Sequence, residues 1–449
     1  MFQTFKNAFK VKEVRKKIFM TLLFVFIYRL GSFIPVPGID VSLFQSAVSG
    51  TGADGGTSFL TVLSAITGGA LANGTLFAIG ISPYINASII IQLLTIAIPR
   101  LERLSKQGED GKKKINKITR YSTLVLATVQ AIGILLVFNN SGTSQSVLNP
   151  NFFGSGQNPL PMWLVFAFVS LIFVVGSALS MWIGERITEH GVSNGISMLI
   201  FVGIVATAGK GLIESVVNVN KTGWGAGGGW EIIGFILLTV FIFAFIVLVD
   251  KAERRITVQY SKQIKGNKMY GGQSSVIPIK VNGSGVLPLI FAFAITSFPE
   301  LVFNTFWAGR DWVNWYTINM GTKSWLYPFM LALFIFLFAF FYQQVQFNPT
   351  DVANNIQNNG GFIPGIRPGK PTSDYLTKVV QRITFFGAIF LTIIAFVPTL
   401  LFSTIIATNT GLLNAFSATG MLIVVSVALE FDKQLENQLL MKYYKGFLK

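Results

Sequence analysis

Few side chains in this sequence could carry covalent or metal chemistry. There is one histidine, His190, and no cysteine, which excludes thiolate nucleophiles, disulfides and thiolate metal sites. His190 stands beside Glu185 and Glu189 in Gly184–Gly191, a grouping that resembles a metal motif only superficially and reads as a solvated histidine in a short turn. The Gly223–Gly229 stretch lacks the lysine and Ser/Thr of a phosphate loop, and reads as a flexible connection. Ion-coupled transporters place ionisable groups near the membrane midplane, and the sole candidate here is Arg29. It lies about 16 Å into its helix at 1.5 Å per residue, and bonding to neighbouring carbonyls is favoured over substrate binding. Asp40, Asp54, Glu214, Glu231, Glu300 and Asp311 fall in or at the ends of outward-facing segments. No proton or sodium relay, cofactor site or catalytic constellation can be assembled from this inventory, so the chain reads as a passive conduit or scaffold.

The elements that would position these residues are membrane spans. Of 449 residues, 51% are hydrophobic and 12% charged, about half the roughly 25% charge usual in soluble domains. A spanning helix needs about 20 mostly apolar residues. Ten stretches qualify, at Ile18–Val36, Leu76–Ile98, Tyr121–Phe138, Leu160–Trp182, Asn194–Leu212, Ile232–Val249, Val286–Phe303, Trp325–Tyr342, Ile383–Leu401 and Leu412–Leu429. The first exceeds the 7–15-residue core of a cleavable signal and ends in Pro35-Val36-Pro37-Gly38, so it is expected to remain. Polar Ser82, Asn86, Ser88 and Gln92 in the second span either glue helices together or line a path only intermittently exposed to lipid.

The formal net charge of +16 would suggest nucleic acid in a soluble protein. Here its distribution is a topology signal. Of the 35 Lys and Arg, 30 fall on the side of the termini and 4 on the other, Arg29 being within a span. The positive-inside rule then puts both termini in the cytoplasm. The expected divisions are a tail over 1–17, a five-helix half over 18–212, an external connection over 213–231, a second half over 232–431 with cytoplasmic loops 250–282 and 346–382, and a tail over 432–449.

Two sets of five spans must run in opposite senses, so similarity between them means inverted repeats. Gly80-Ile81-Ser82-Pro83-Tyr84-Ile85 in the second span matches Gly285-Val286-Leu287-Pro288-Leu289-Ile290 in the seventh at glycine, proline and the isoleucine two residues on. Proline removes a backbone donor and distorts a helix interior, so Pro83 and Pro288 are expected to bend their helices. Ordinary tolerance of Gly and Pro in membrane helices is the alternative for either segment alone; their matched placement points to the working site of a transport protein.

Several segments resemble the SecY/Sec61-alpha family, whose members form the core of the Sec protein-conducting channel. The most specific is Thr75–Leu94, followed by Tyr28–Asp40, Gly191–Ile204, Glu253–Ile256, Lys280–Asn282 and Gly361–Gly369. The resemblance covers nearly the whole chain and is weakest after spans 3 and 5 and around Arg310–Lys323. It implies an all-α polytopic fold of ten helices in two inverted halves, in the bacterial cytoplasmic membrane. It also implies a non-enzymatic channel for signal-bearing unfolded polypeptides, which releases hydrophobic segments sideways into lipid.

By position, the implied pore ring is Ile81, Ile85, Ile196, Ile200, Ile290 and Ile423. Spacing supports it in part, because Ile81/Ile85 and Ile196/Ile200 are i, i+4 pairs on one helix face, although lipid-facing isoleucines are common. A plug is implied at about 58–68, with an interfacial helix as the alternative. Spans 2 and 7 would flank a lateral gate carrying Asn86, Gln92, Thr296, Ser297 and Phe298. Arg254, Arg255 and Arg367 would dock the ribosome or the motor ATPase SecA, while most of the nearby lysines, including Lys262, Lys265 and Lys268, read as topology determinants. Accessory subunits SecE and SecG are implied, and no cofactor. Two other readings are a secondary transporter of a small solute, which shares inverted repeats but needs coupling ionisable groups, and a membrane-bound enzyme, for which no constellation exists.

Overall fold

A computed structural model describes residues 2–49, 63–64, 66–140, 148–149, 161–222, 228–260, 263–265, 268–270, 274–283, 285, 287–307, 310–320, 324, 326–405 and 418–447. Each of the ten expected spans overlaps a helix, the last of them from Ala418 onward. In chain order the helices are α1 (Phe2–Lys10), α2 (Lys12–Gly31), α3 (Val41–Ser49), α4 (Ser82–Ala97), α5 (Pro99–Ser105), α6 (Glu109–Asn140), α7 (Met162–His190), α8 (Gly195–Thr222) and α9 (Gly228–Asp250). The second half follows as α10 (Leu287–Phe306), α11 (Asp311–Met320), α12 (Leu326–Gln346), α13 (Pro349–Asn358), α14 (Lys370–Ile405) and α15 (Ala418–Phe447). Among the described residues, six helices are long and apolar enough to cross a membrane, and a seventh span is formed if α4 and α5 are taken together. Ile98 separates that pair with a 105° bend, because Pro99 disfavours helical backbone at the residue before it.

Several boundaries differ from expectation. The first span ends at Gly31, not Val36; the chain beyond it turns, so that the Val36 amide donates to the Gly74 carbonyl at 2.9 Å and Pro35 bridges to Thr75. The second span starts as helix only at Ser82. Pro83 and Pro288 therefore do not bend helices: each lies in the first turn, where a missing amide hydrogen costs nothing. Three residues ahead of each proline, Gly80 (φ 58°) and Gly285 (φ 64°) take the left-handed conformation that glycine adopts without penalty. The matched motif is thus a pair of helix starts, one in each half.

Gly184–His190 is helix, not a turn, since α7 runs on to His190 and stops at Gly191. The expected external connection over 213–231 shortens, because α8 continues to Thr222 and α9 opens at Gly228; Gly223–Gly227 lie outside the described residues. The C-terminal tail extends α15 to Phe447. Near the chain ends, Ala8, Val14 and Ile18 pack with Val192, Leu435 and Leu439, which brings α1, α2 and α15 together on one side.

The membrane portion is all-α, and the two long loops add a small sheet. Strands β1 (Glu253–Tyr260) and β4 (Ser274–Lys280) pair antiparallel, and β5 (Gly361–Phe362) adds to the other edge of β1. Short strands β2 (Gln263–Lys265) and β3 (Lys268–Tyr270) make a separate pair. Alternation buries Ile256 and Val258 against Ala353, Ile356, Ile363 and Leu376, so the two loops share one core.

Candidate functional site

All six predicted ring isoleucines meet in one apolar cluster. Ile81, Ile200 and Ile423 are buried within it, and Ile85, Ile196 and Ile290 pack against it half-buried. Ile81 caps the start of α4 and Ile85 lies one turn in; α8, α10 and α15 supply the others. The proximity is tight around Gly184 of α7, where an added Cβ would lie 3.3 Å from both Ile196 Cγ1 and Ile81 Cδ1. On one side of the cluster is a cavity of about 620 Å³, lined by Ile200, Ile290 and Ile423 together with Asn194, Ser197 and Gln346. Its lining also carries the charged Asp250, Lys280 and Glu430. Burial pushes the Glu430 carboxyl above the usual carboxylate range; Lys280 opposes this and Asp250 adds to it. Asn282 donates to Asp250 at 3.1 Å, fastening the approach to α10 onto the end of α9.

The other side of the cluster meets the segment expected to be the plug. Residues 58–62 and 65 lie outside the described residues. Leu63, Ser64 and 66–69 form a helical end, with the Thr67 amide donating to the Leu63 carbonyl at 3.0 Å, and Ile66 packs on the isoleucine cluster. Gly203 of α8 permits this approach, since a Cβ there would strike the Ile66 carbonyl. Arg29 of α2 clasps both partners: Nη1 donates to the Gly68 carbonyl at 3.4 Å and Nη2 to the Val202 carbonyl at 3.1 Å. The carbonyl-bonding alternative for Arg29 is the one the structure displays.

Between the halves, α4 faces α10 and α12 across an apolar seam of Ile89, Phe291 and Tyr342, flanked by Ile85, Leu93 and Phe338. Of the predicted gate residues, Gln92 accepts a 3.0 Å hydrogen bond from the Tyr342 hydroxyl of α12. Asn86 is half-buried on α4. Thr296 spends its hydroxyl on its own helix, donating to the Ala292 and Phe293 carbonyls at 2.8 and 3.0 Å. Ser297 and Phe298 belong to α10, and their side chains lie outside the described residues. Tyr342 and Phe291 were not singled out from the sequence. The only signal for Tyr342 was a phenol ending an otherwise apolar span.

Arg254 and Arg255 are exposed at the start of β1 and, as neighbours in a strand, project to opposite faces. Arg255 is engaged by Glu253 at 2.8 Å. Arg367 is exposed in the turn between β5 and α14, where its backbone carbonyl accepts from the Thr372 hydroxyl at 2.8 Å. That turn and α13 border an open groove that Gln357, Phe362, Ile366 and Arg367 line. His190 is exposed, with Nδ1 3.8 Å from Glu189, while Arg120 of α6 takes Glu185 at 2.8 Å. No group of three His, Asp or Glu able to hold a metal occurs among the described residues.

A mostly helical chain with several helices long and apolar enough to cross a membrane, six isoleucines drawn into one apolar cluster and a cavity that three of them line define a multi-pass membrane protein of the conduit type. The SecY family model matches residues 75–431. Proteins described as "Protein translocase subunit SecY" are similar over the full length: those of Streptomyces scabiei and Streptomyces coelicolor are 39% and 40% identical, each covering 100% of both chains. That of Thermotoga maritima is 38% identical over 100% of this chain and 98% of its own. Among solved structures, one described as a protein conducting channel superposes with a TM-score of 0.62 at 18% identity, covering 94% of this chain and 92% of that one. Sec61 in a canine ribosome-channel complex does so with 0.58 at 17% identity, over the same shares of the two chains. The chain belongs to the SecY family. That membership sets aside the small-solute transporter.

Proposed function

We propose that the protein is the channel-forming subunit of a protein translocase, passing signal-bearing unfolded polypeptides through the isoleucine cluster and releasing hydrophobic segments sideways between α4 and the α10/α12 pair. The observation that carries this is the convergence of Ile81, Ile85, Ile196, Ile200, Ile290 and Ile423 from both halves into one apolar cluster, beside a cavity that Ile200, Ile290 and Ile423 line. A translocating chain presents every kind of side chain, so a pore that bound one kind strongly would stall. A narrow apolar ring blocks ions by dewetting and yields around diverse side chains.

The charge asymmetry supports both termini lying in the cytoplasm, the shared packing of α1 and α15 supports their lying on one side, and the bacterial relatives support the bacterial cytoplasmic membrane as the location. The exposed Arg254, Arg255 and Arg367 then face the cytoplasm. There they suit either the phosphates of ribosomal RNA or the motor ATPase SecA. Ribosome-bound relatives among the superposable structures support the first of these. SecE and SecG are the accessory subunits that family membership suggests. The test is reconstitution with SecE, SecA and a signal-bearing precursor, scored by protease protection of the precursor inside vesicles. Absence of ATP-dependent protection, with the complex intact, would refute the function.

A further inference from the structure

We propose that α11 is an interfacial anchor, with Trp307, Trp312, Trp315 and Ile318 seated in the headgroup–acyl boundary of the outer leaflet, where they fasten the outer end of α10 to the bilayer surface. The leaflet named rests on the orientation proposed above; the contact with lipid does not.

Beyond Phe306, the chain turns through hydrogen bonds from Trp307 to the Phe303 carbonyl at 2.9 Å and from Arg310 to the Trp307 carbonyl at 3.2 Å. It then forms the ten-residue helix α11, in contact with both α10 and α12. Phe303, at the end of α10, is ringed by Trp307, Trp312 and Tyr316 with centroids 6.4, 5.0 and 5.2 Å away, all edge-on. Val313 faces inward at 1% exposure. On another face, Trp315 and Ile318 are 61% and 73% exposed, with Trp312 beside them. A short helix that fixes Val313 inward, rests Trp312 partly on Phe303 and leaves Trp315 and Ile318 largely exposed has an apolar face uncovered by the rest of the described residues.

Two observations say what covers it. First, α11 packs against α12, whose exposed Phe329, Leu333 and Leu337 recur every fourth residue along a span; lipid is the solvent for that stripe. Second, two other exposed tryptophans mark helix starts, Trp163 opening α7 and Trp230 opening α9. Indole combines a broad apolar body with one donor and concentrates at the membrane–water boundary. The adjoining Arg310 is exposed and can meet a lipid phosphate. An aqueous loop would not need three indoles.

The absence of cysteine from this chain makes a clean test available. Ile318→Cys, labelled with an environment-sensitive nitrobenzoxadiazole dye, is assembled with its accessory subunits in phosphatidylethanolamine–phosphatidylglycerol vesicles containing lipids with a nitroxide at acyl carbon 5 or 12. The anchor requires blue-shifted emission, quenching at least two-fold stronger by the shallow nitroxide than by the deep one, and little access to aqueous iodide. Iodide access with no nitroxide effect would place α11 in water. Protection from both quenchers would place it under a protein subunit. Either result overturns the proposal. If Ile318→Cys fails to assemble, Trp315→Cys gives the same readout from the same face. Protease protection of a precursor in the same vesicles tests the channel function separately, so lipid contact without translocation would sink that function and leave the anchor standing.

Discussion

The phenol of Tyr342 on α12 donates a 3.0 Å hydrogen bond to Gln92 on α4, while its ring stacks on Phe291 of α10 at 4.5 Å. One fully buried side chain therefore joins three helices at the seam through which a hydrophobic segment would leave. Tyr342→Phe keeps the stack and removes the bond. A net hydrogen bond contributes about 1 kcal/mol, which is roughly five-fold in an equilibrium. The expected outcome is a shift of that size toward the open seam, read as a lower signal hydrophobicity needed for translocation. An unchanged threshold across a graded series of signals would refute the latch.

Arg29 holds the end of the segment at 66–69 against α8 through the Gly68 and Val202 carbonyls. Hydrogen bonds from a charged group contribute about 1.5–3 kcal/mol. Arg29→Met should loosen that segment and raise the resting ion conductance of channels in planar bilayers, with Arg29→Lys intermediate because one ammonium is a poorer match for two diverging carbonyls. Wild-type conductance for Arg29→Met would show that the clasp does not seal.

Ile85→Asn and Ile290→Asn each place an amide in the apolar cluster. If the cluster seals by dewetting, both variants leak ions at rest and accept defective signals more readily than wild type. Equal leak and equal signal discrimination in both variants would remove the ring assignment, whatever their abundance.

On the cytoplasmic loops, Arg367 and Arg255 should behave differently. Arg367 is exposed in a turn fixed by Pro364 and Pro368, and Arg367→Glu should impair translocation while leaving the membrane level of the protein unchanged. Arg255 already pairs with Glu253 at the surface, an arrangement contributing about 0–1 kcal/mol. Arg255→Ala should have the smaller effect on both stability and translocation. Comparable translocation rates for Arg367→Glu and wild type would exclude the docking role.

The spans were legible because lipid imposes a local rule: each segment must satisfy its own backbone and be apolar for about 20 residues, which can be counted along the chain. The matched Gly80/Pro83 and Gly285/Pro288 were legible as a repeat for the same reason. Their conformational meaning was not. A proline distorts a helix interior but opens a helix without penalty, and only the turn at Thr75–Ile81 decides that Pro83 opens α4. The sheet joining the cytoplasmic loops was likewise hidden, because β5 is only two residues long and its partner Gln259 lies about a hundred positions away in the chain.

The candidate site divides in the same way. Residue types and spacing alone determined that the chain crosses a membrane repeatedly and carries the motifs of its family. Which polar atoms meet was decided by tertiary structure alone. Gln92 finds Tyr342, 250 residues away, and Arg29 finds Val202, 173 residues away, because in an apolar surround an unpaired donor is costly and helix packing settles which partner is in reach.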